Sequence, residues 1–433
     1  MTPHPHERIT FRQERWRSAC SGVLETAGNT FLLLVATRHF EAGAVAKALV
    51  AAGGSTGLLL SPVVVNVAQR LRVPATRAVG WLLACGAMAA LVAACVPTSA
   101  PALYAVACVL ALATSSAAIP LMTQVYHDNY PAERRGKLYS RTFMLRIAAA
   151  VVFAFVAGQW LEPGFARLFP GSPLAAHADG LLGSVPGRFR WLIVAFALAF
   201  GIGAAAVRRI PSNPLPPAAG SHPLHALRYI REDRLFRQAL VAWMLMGFAN
   251  LAMLPMRVEY LGNPRYGLSK TAGQIAILTL VIPNLARLLL SPVWGFLFDR
   301  MNFFALRITL NIGFALGIAA FFTGNHSWGL VVGAVIYGIS NAGGDVAWGL
   351  WVTKFAPPER IADYMAIHTA LTGLRGVVAP FVAFQIVQHH TPATMGWVSG
   401  AMILVASAIL IPEIRVWRLR QAAAEPPAEP PSE

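Results

Sequence analysis

Charged side chains occur inside segments of the chain that are otherwise continuously apolar. Two are acids, Glu25 and Asp345, and three are arginines, Arg146, Arg287 and Arg375. A charge placed in hydrocarbon costs roughly 2.5–3.5 kcal/mol on the lenient insertion scale, so each of these residues is a functional candidate. At about 1.5 Å of rise per residue, all five are predicted to lie in one layer midway along the apolar segments. Two acids cannot neutralise three arginines, so an unpaired positive charge would remain in that layer.

The chemistry open to these groups is ligand binding and proton transfer. An anionic group of a ligand could supply the missing partner, with Arg287 or Arg375 as a forked donor to a carboxylate or phosphate. Glu25 or Asp345 could take up and release a proton. The other interpretation is structural, with each acid paired to an arginine so that two helices are held together. The sequence leaves both interpretations open.

Polar residues share helical faces with the charged ones, because positions three or four apart face the same way on a helix. Asn250 lies 221 residues after Asn29, which predicts paired polar groups in two related halves. His368 is expected to extend toward the surface rather than to relay protons. The candidate binding or coupling residues are Glu25, Asn29, Arg146, Asn250, Asn284, Arg287, Asn341, Asp345 and Arg375.

Twelve apolar stretches carry these residues. Of the 433 residues, 56% are hydrophobic and only 12% are charged, which leaves too little polar surface for a soluble protein. Crossing about 30 Å of hydrocarbon takes roughly 20 helical residues, and the alternation typical of strands is absent. The predicted fold is therefore an all-α integral membrane protein with twelve transmembrane helices. The predicted spans are 17–39, 44–66, 78–97, 102–126, 138–160, 191–207, 238–256, 269–297, 305–324, 328–353, 364–387 and 394–412.

Two internal repeats indicate that the chain is made of two related halves. Residues 58–63 and 288–293 both read LLLSPV, and residues 131–159 match residues 357–385 at nine positions. We therefore predict two pseudo-symmetric bundles of six helices each. The predicted boundaries are an N-terminal segment 1–16, a first bundle 17–207, a central loop 208–237, a second bundle 238–412 and a polar tail 413–433.

The net charge of +16 is explained by topology. With both termini in the cytoplasm, 24 of the 35 Lys and Arg residues fall in cytoplasmic segments and eight in outer ones. This excess follows the positive-inside rule, so the basic charge sets orientation and does not indicate nucleic-acid binding. The four cysteines lack the spacing of a metal site or a disulfide framework.

A short motif in the loop after the eighth span reads Gly-x-x-x-Asp-Arg at residues 295–300, and the loop at residues 65–70 keeps only its arginine. With six plus six helices and a long central loop, this motif resembles the major facilitator superfamily over residues 12–420. The missing first-half acid argues against a symmetric latch. The resemblance implies a cytoplasmic gate formed by Arg70, Arg77, Asp299, Arg300 and Arg307.

The resemblance also implies a secondary transporter of the bacterial inner membrane that works by alternating access. The charged layer favours symport of a small anionic solute with protons. The alternative is proton-driven export of a cationic or neutral amphiphile, and a third interpretation is a non-transporting receptor or enzyme. No nucleophile–base pair or nucleotide-binding motif is found, so an enzyme is not expected. The expected partners are the solute, protons and the lipid bilayer, without cofactor, metal or nucleic acid, and the chain is expected to be a monomer.

Overall fold

The computed structural model describes residues 5–161, 185–214, 228–323, 327–351 and 361–424. In this part of the chain, twelve helices are long and apolar enough to cross a membrane. The described residues contain no strand beyond an isolated bridge between Pro74 and Pro214. The predicted all-α fold with twelve spans is confirmed.

The first six helices form one bundle. α1 consists of an α-helix at Pro5–Glu25, a π-helix at Ala27–Leu32 and an α-helix at Leu33–Arg38. α2, at Ala44–Arg70, continues through Pro62, which lies in the first LLLSPV repeat. The remaining helices are α3 Ala75–Cys95, α4 Pro101–Ala117 continued by Ile119–Asn129, α5 Ala132–Trp160 and α6 Val185–Arg208.

The last six helices form the second bundle. Asp233 caps the start of α7 by accepting a hydrogen bond from the Phe236 amide, and Thr271 starts α8 with a capping box that includes Gln274. The helices are α7 Arg234–Gly262, α8 with Ala272–Ala276, a π-helix at Ile277–Val281 and Ile282–Arg300, α9 Phe303–Phe322, α10 Ser327–Leu350, α11 Ile361–His389 and α12 Pro392–Ala424.

α1 begins well before the predicted start at residue 17. Its first turns are polar, yet Thr10 and Glu14 are almost fully buried. Asn129 at the end of α4 donates a hydrogen bond to the Thr10 hydroxyl at 3.0 Å, and Tyr126 donates to Glu14 Oε1 at 2.6 Å. Hydrogen bonds to α4 therefore stabilise a segment that hydropathy alone assigns to solvent.

The packing of helices within the two bundles follows the same scheme. In the first bundle, α1 packs on α5 and α6, α2 on α4, and α3 on α4 and α6. In the second, α7 packs on α11 and α12, α8 on α10, and α9 on α10 and α12. Each pair recurs six helices later, as two copies of one ancestral bundle require. The contacts between bundles obey the same relation, because α2 packs on α11 and α8 packs on α5.

The bundles share two ends, which we name by the chain termini. The termini side carries the start of α1 and the end of α12, and the opposite side carries the α1–α2 and α7–α8 connections. α3, α6, α9 and α12 turn large apolar side chains outward, among them Met88, Leu198, Leu316 and Ile411. An outer surface of this kind fits a multi-pass membrane protein.

Candidate functional site

Four charged side chains meet in the interior, at the interface of the two bundles. Glu25 of α1 accepts from Arg146 Nε of α5 through Oε2 and from Arg287 Nη1 of α8 through Oε1, each at 2.7 Å. Arg287 also donates through Nε and Nη2 to Asp345 Oδ2 of α10, at 2.8 and 2.7 Å. We call Glu25, Arg146, Arg287 and Asp345 the central network. It contains two acids and two arginines, so it is neutral when all four are ionised.

π-Helical turns adjoin the central network on both of its principal helices. The π-helix of α1 begins two residues after Glu25, and that of α8 ends shortly before Asn284 and Arg287. A π-turn carries an extra residue, so it changes the direction in which the neighbouring side chains point, and such turns occur frequently at functional sites. Asn284 Oδ1 in turn accepts from Arg287 Nη1 at 2.6 Å, which orients the guanidinium.

A close contact between α1 and α5 positions the Glu25–Arg146 pair. A Cβ atom at Gly22 would overlap the main-chain carbonyl oxygen of Arg146. Only glycine lets the two helices approach this closely one turn before Glu25. The short side-chain bridge between Glu25 and Arg146 therefore depends on a residue that carries no side chain.

The central network is buried on one edge and accessible on the other. The exposed fraction of the side chain is 9% for Arg287 and 20% for Glu25, but 32% for Asp345 and 38% for Arg146. Arg146 donates to Glu25 through Nε alone, and its two Nη groups make no hydrogen bond in the described part of the chain. Arg146 therefore presents a forked donor to a water-accessible space.

The other predicted site residues do not join the central network. Asn250 Oδ1 is buried without a hydrogen-bond partner. Asn29 and Asn341 are half-buried, and neither side chain has a hydrogen bond within the described residues. Arg375 makes no ion pair with Glu25 or Asp345 among the described residues, so it is the arginine left without an acid. Arg375 Nη1 donates to the Trp243 carbonyl of α7 at 2.5 Å instead, and its guanidinium occupies the space left by Gly247.

A second inter-bundle network joins α1 and α2 to α7 on the opposite side. Lys47 of α2 donates to both carboxylate oxygens of Glu259 of α7, at 2.7 and 2.8 Å, and this pair is buried. Asn263 Nδ2 donates to Glu259 Oε1 at 2.6 Å, and Arg38 of α1 donates to the main-chain carbonyls of Gly262 and Lys270. We call this set the opposite-side closure. Sequence reasoning missed it because the seventh predicted span ends at residue 256 and Lys47, near the start of predicted span 44–66, was not recognised as a charge within the spans.

Basic side chains also gather around Trp243 within the second bundle. Arg307 of α9 is 3% exposed, and its guanidinium lies 3.9 Å from the centre of the Trp243 ring. Arg375 is close enough to repel Arg307 electrostatically. His368 is fully buried, contrary to the prediction that it reaches the surface, and neither ring nitrogen has a hydrogen-bond partner. We call Arg307, His368 and Arg375 the basic cluster.

The basic cluster has no acid to neutralise it. Within the described residues, no carboxylate lies within ion-pair distance of Arg307 or Arg375. Stacking on Trp243 returns about 2 kcal/mol when a cation is desolvated, whereas burial costs several kcal/mol per unpaired ion. The stacking contact therefore leaves most of the desolvation uncompensated.

Comparison with known proteins agrees with this architecture. The sequence model of the Major Facilitator Superfamily matches residues 266–433, and no curated protein sequence matches the chain. The nucleoside transporter NupG superposes with a TM-score of 0.70 at 12% identity, over 94% of this chain and 99% of NupG.

Two further solved structures share the fold over nearly their whole length. A bacterial homologue of the human lysosomal transporter Spinster, in an inward-facing and unoccupied conformation, gives a TM-score of 0.66 at 14% identity, over 98% of this chain and all of that chain (100%). A D-xylose–proton symporter gives 0.65 at 15% identity, over 92% of this chain and 97% of that one.

The C-terminal part of the chain therefore resembles the Major Facilitator Superfamily in sequence, and the whole chain shares the twelve-helix fold of these transporters. The family sequence model covers the C-terminal part, and the fold extends over both bundles. Within this fold, LLLSPV occupies equivalent places in α2 and α8, with Pro62 and Pro292 both inside a helix. The repeated LLLSPV segment therefore lies in corresponding helices of the two bundles, α2 and α8.

The gate predicted from this family resemblance stays a prediction, because the side chain of its one acid, Asp299, lies outside the described residues. Arg70, Arg77 and Arg300 are exposed, and none makes an ion pair with another described residue. Arg300 stacks instead on Phe296, 4.1 Å from the ring centre. Arg307 lies inside the second bundle, and the side chain of Asp299 lies outside the described residues. Within the described residues, the ion pairs that join the bundles occur in the central network and at the opposite-side closure.

Proposed function

We propose that this protein is a secondary active transporter that carries a small solute by alternating access, with the central network as its binding and coupling site. The observation that supports this most directly is the Glu25–Arg287 ion pair, which links the two bundles beside an exposed Arg146. A site shared by two halves changes its accessible side when the halves rock.

The described conformation fits one stage of such a cycle. The opposite-side closure holds α1 and α2 against α7, while Arg70, Arg77 and Arg300 of the predicted gate are exposed and make no ion pair among the described residues. The inward-facing Spinster homologue shares the fold at a TM-score of 0.66. We propose that the termini side is the cytoplasmic side, as the positive-inside bias predicts, and that this conformation opens toward the cytoplasm.

We propose that the solute carries an anionic group. The central network is balanced, so it does not by itself demand an anion, and the third arginine of the sequence argument, Arg375, lies outside it. The support comes from Arg146, whose unbound Nη groups can donate two parallel hydrogen bonds to a carboxylate or phosphate. An anion seated there would also compete with Glu25 for Arg146.

We propose that protons are the coupling ion. Protonation of Glu25 would weaken its bonds to both arginines, and Arg287 would then be held only by Asn284 and Asp345 of its own bundle. The link between the bundles would be released at the moment when Arg146 becomes free for the solute. Binding of the anion and the proton would therefore favour each other, as symport requires.

Substitution of Arg146 tests the binding role. A panel of small carboxylates and phosphorylated metabolites is first screened for thermal stabilisation of the purified protein in detergent. Arg146→Gln is expected to weaken binding of the best anionic ligand at least about tenfold, because a charge-assisted hydrogen bond contributes roughly 1.5–3 kcal/mol. Arg141→Gln is the matched control, since Arg141 is an exposed arginine on the same helix.

The outcome also separates this proposal from its rival. Anionic ligands that bind equally well to the wild type and to Arg146→Gln would contradict the anion proposal. Stabilisation only by cationic or neutral amphiphiles would favour the exporter instead, with Glu25 and Asp345 as cation sites. Asp345, with 32% of its side chain exposed, is the acid more accessible to such a ligand.

A further inference from the structure

The basic cluster brings three basic side chains together around the Trp243 indole. The centre of the His368 ring lies 5.2 Å from that of Trp243, 5.0 Å from that of Trp351 and 5.8 Å from that of Trp348. Arg307 stacks on another part of Trp243, and Arg375 donates to its carbonyl. Two guanidinium groups and an imidazole from α9 and α11 are therefore held around one indole of α7.

The unpartnered nitrogens show what the cluster lacks. Both ring nitrogens of His368 and the Nε of Arg375 are buried without a hydrogen-bond acceptor. Apart from the Trp243 carbonyl, the acceptors of the two arginines are thioether sulfurs, Met246 for Arg307 at 2.8 Å and Met244 for Arg375 at 3.8 Å. A thioether is a weak acceptor that carries no negative charge. The cluster therefore has buried donors and positive charge but no oxygen of negative charge.

We propose that the basic cluster is a second anion-binding site, separate from the central network, which takes a small oxyanion such as phosphate or a carboxylate. The anion would supply acceptors to Arg307, Arg375 and His368 and would offset the repulsion between the two guanidinium groups. Arg375 and Trp348 are half-buried whereas Arg307 and His368 are buried, so the anion would enter between α10 and α11.

This site is distinct from the one in the proposed function, because the two share no residue. The two acids of the central network, Glu25 and Asp345, bind Arg146 and Arg287. Among the described side chains they make no ion pair with Arg307 or Arg375. The inference stands whether or not the central network transports a solute. It concerns binding alone and is measurable in detergent.

The test uses inorganic phosphate as the probe. Its dissociation constant is measured by titration calorimetry on the purified full-length protein, at constant ionic strength maintained with chloride. Arg375→Gln and Arg307→Gln are each expected to weaken phosphate binding at least about tenfold, the loss of one charge-assisted contact. Arg234→Gln, which removes an exposed arginine from the start of α7, is expected to leave the constant unchanged.

Arg146→Gln separates this site from the central network. Phosphate binding that persists in Arg146→Gln and is lost in Arg375→Gln supports the second site. Phosphate binding that is lost in Arg146→Gln, with or without loss in Arg375→Gln, overturns the separate site, and so does wild-type protein that binds no phosphate. Neither of those results removes the proposed transport function, which is tested with its own ligand.

Thermal stability provides a second measurement that does not depend on a single variant. Without phosphate, Arg375→Met is expected to raise the melting temperature, because it removes one of two repelling buried charges. A purely structural arginine bonded to the Trp243 carbonyl would instead lower it, which would overturn the proposal. His368→Phe retains an aromatic ring within the indoles and removes both nitrogens, so weaker phosphate binding is expected in this variant as well.

Discussion

Arg287 forms ion pairs with an acid of each bundle. It is bound at once by Glu25 of the first bundle and by Asp345 of its own, while Asn284 fixes the direction of its guanidinium. In the proposed coupling, a proton on Glu25 would leave Arg287 bonded to Asp345 and Asn284 of its own bundle. The residue can therefore report the protonation state of one half to the other.

Glu25→Gln is expected to separate exchange from accumulation. The amide keeps the size of the side chain but cannot lose a proton, so the variant imitates the protonated state permanently. In proteoliposomes, we expect solute counterflow to continue while accumulation driven by a pH gradient is lost. Glu232→Gln, an exposed acid outside the spans, is the control. Gradient-driven accumulation equal to that of the wild type would exclude Glu25 as the coupling group.

At this scale the sequence predicted which residues matter better than it predicted their partners. Glu25, Arg146, Arg287 and Asp345 were found as charges inside apolar spans, because hydrocarbon tolerates few of them. Arg375 met the same criterion, yet its place depends on Gly247 of another helix, which no spacing within α11 reveals. Glu259 was missed because α7 continues to Gly262, beyond the point where hydropathy falls.

The elements that position the central network are irregular helices. α1 and α8 each change from α to π geometry next to their charged residues, and the inward face of each helix is rotated there. The length of the apolar stretches predicted both helices but not these turns, because one extra residue in a uniformly apolar segment leaves no trace in composition. The LLLSPV repeat, by contrast, is enough by itself to identify α2 and α8 as equivalent helices.

Gly22→Ala is expected to destabilise the protein through the contact between α1 and α5. The added methyl group would overlap the Arg146 carbonyl, and overpacking of this kind costs about 1–3 kcal/mol. We therefore expect a lower melting temperature in detergent.

Gly201→Ala is the matched control for this prediction. It lies in α6, where an added Cβ meets no atom within 4 Å, so it should leave stability unchanged or slightly higher. Equal melting temperatures for the wild type and Gly22→Ala would show that α1 and α5 can separate at little cost.

At the scale of the whole molecule, the two bundles meet through contacts of different kinds. α2 with α11 and α5 with α8 provide the repeated contacts that a pseudo-twofold axis requires. In addition to these helix contacts, the Lys47–Glu259 ion pair of the opposite-side closure joins the bundles. The described residues form no equivalent ion pair on the termini side. The fold class followed from the sequence, but this asymmetry did not, because it depends on which loop ends meet.

Lys47→Met is expected to open the opposite side. Removing one partner of a buried ion pair leaves Glu259 unpaired, and such losses cost about 3–5 kcal/mol in the closed arrangement. Val45 and His390 are both exposed on that side, and the distance between spin labels at these two positions, measured by double electron–electron resonance, should be longer than in the wild type. Lys270→Met removes a lysine from the same side without breaking an ion pair and should leave the distance unchanged.

The double variant gives a further check on this assignment. Lys47→Met with Glu259→Met replaces the ion pair by apolar side chains, so it should favour the closed form more than Lys47→Met alone does. A distance distribution in Lys47→Met identical to that of the wild type would show that the bundles are held together at this end by other contacts.

Among the described residues, only the opposite side has an ion pair between the bundle ends, which implies that the proposed transporter treats its two faces unequally. A solute arriving at the bonded face meets a receptive conformer in only a fraction of the molecules, and its half-saturation concentration rises by the inverse of that fraction. A bias of about 1.4 kcal/mol would make this concentration about tenfold higher at one face than at the other. The protein would then favour binding of the solute from one face, even without a gradient.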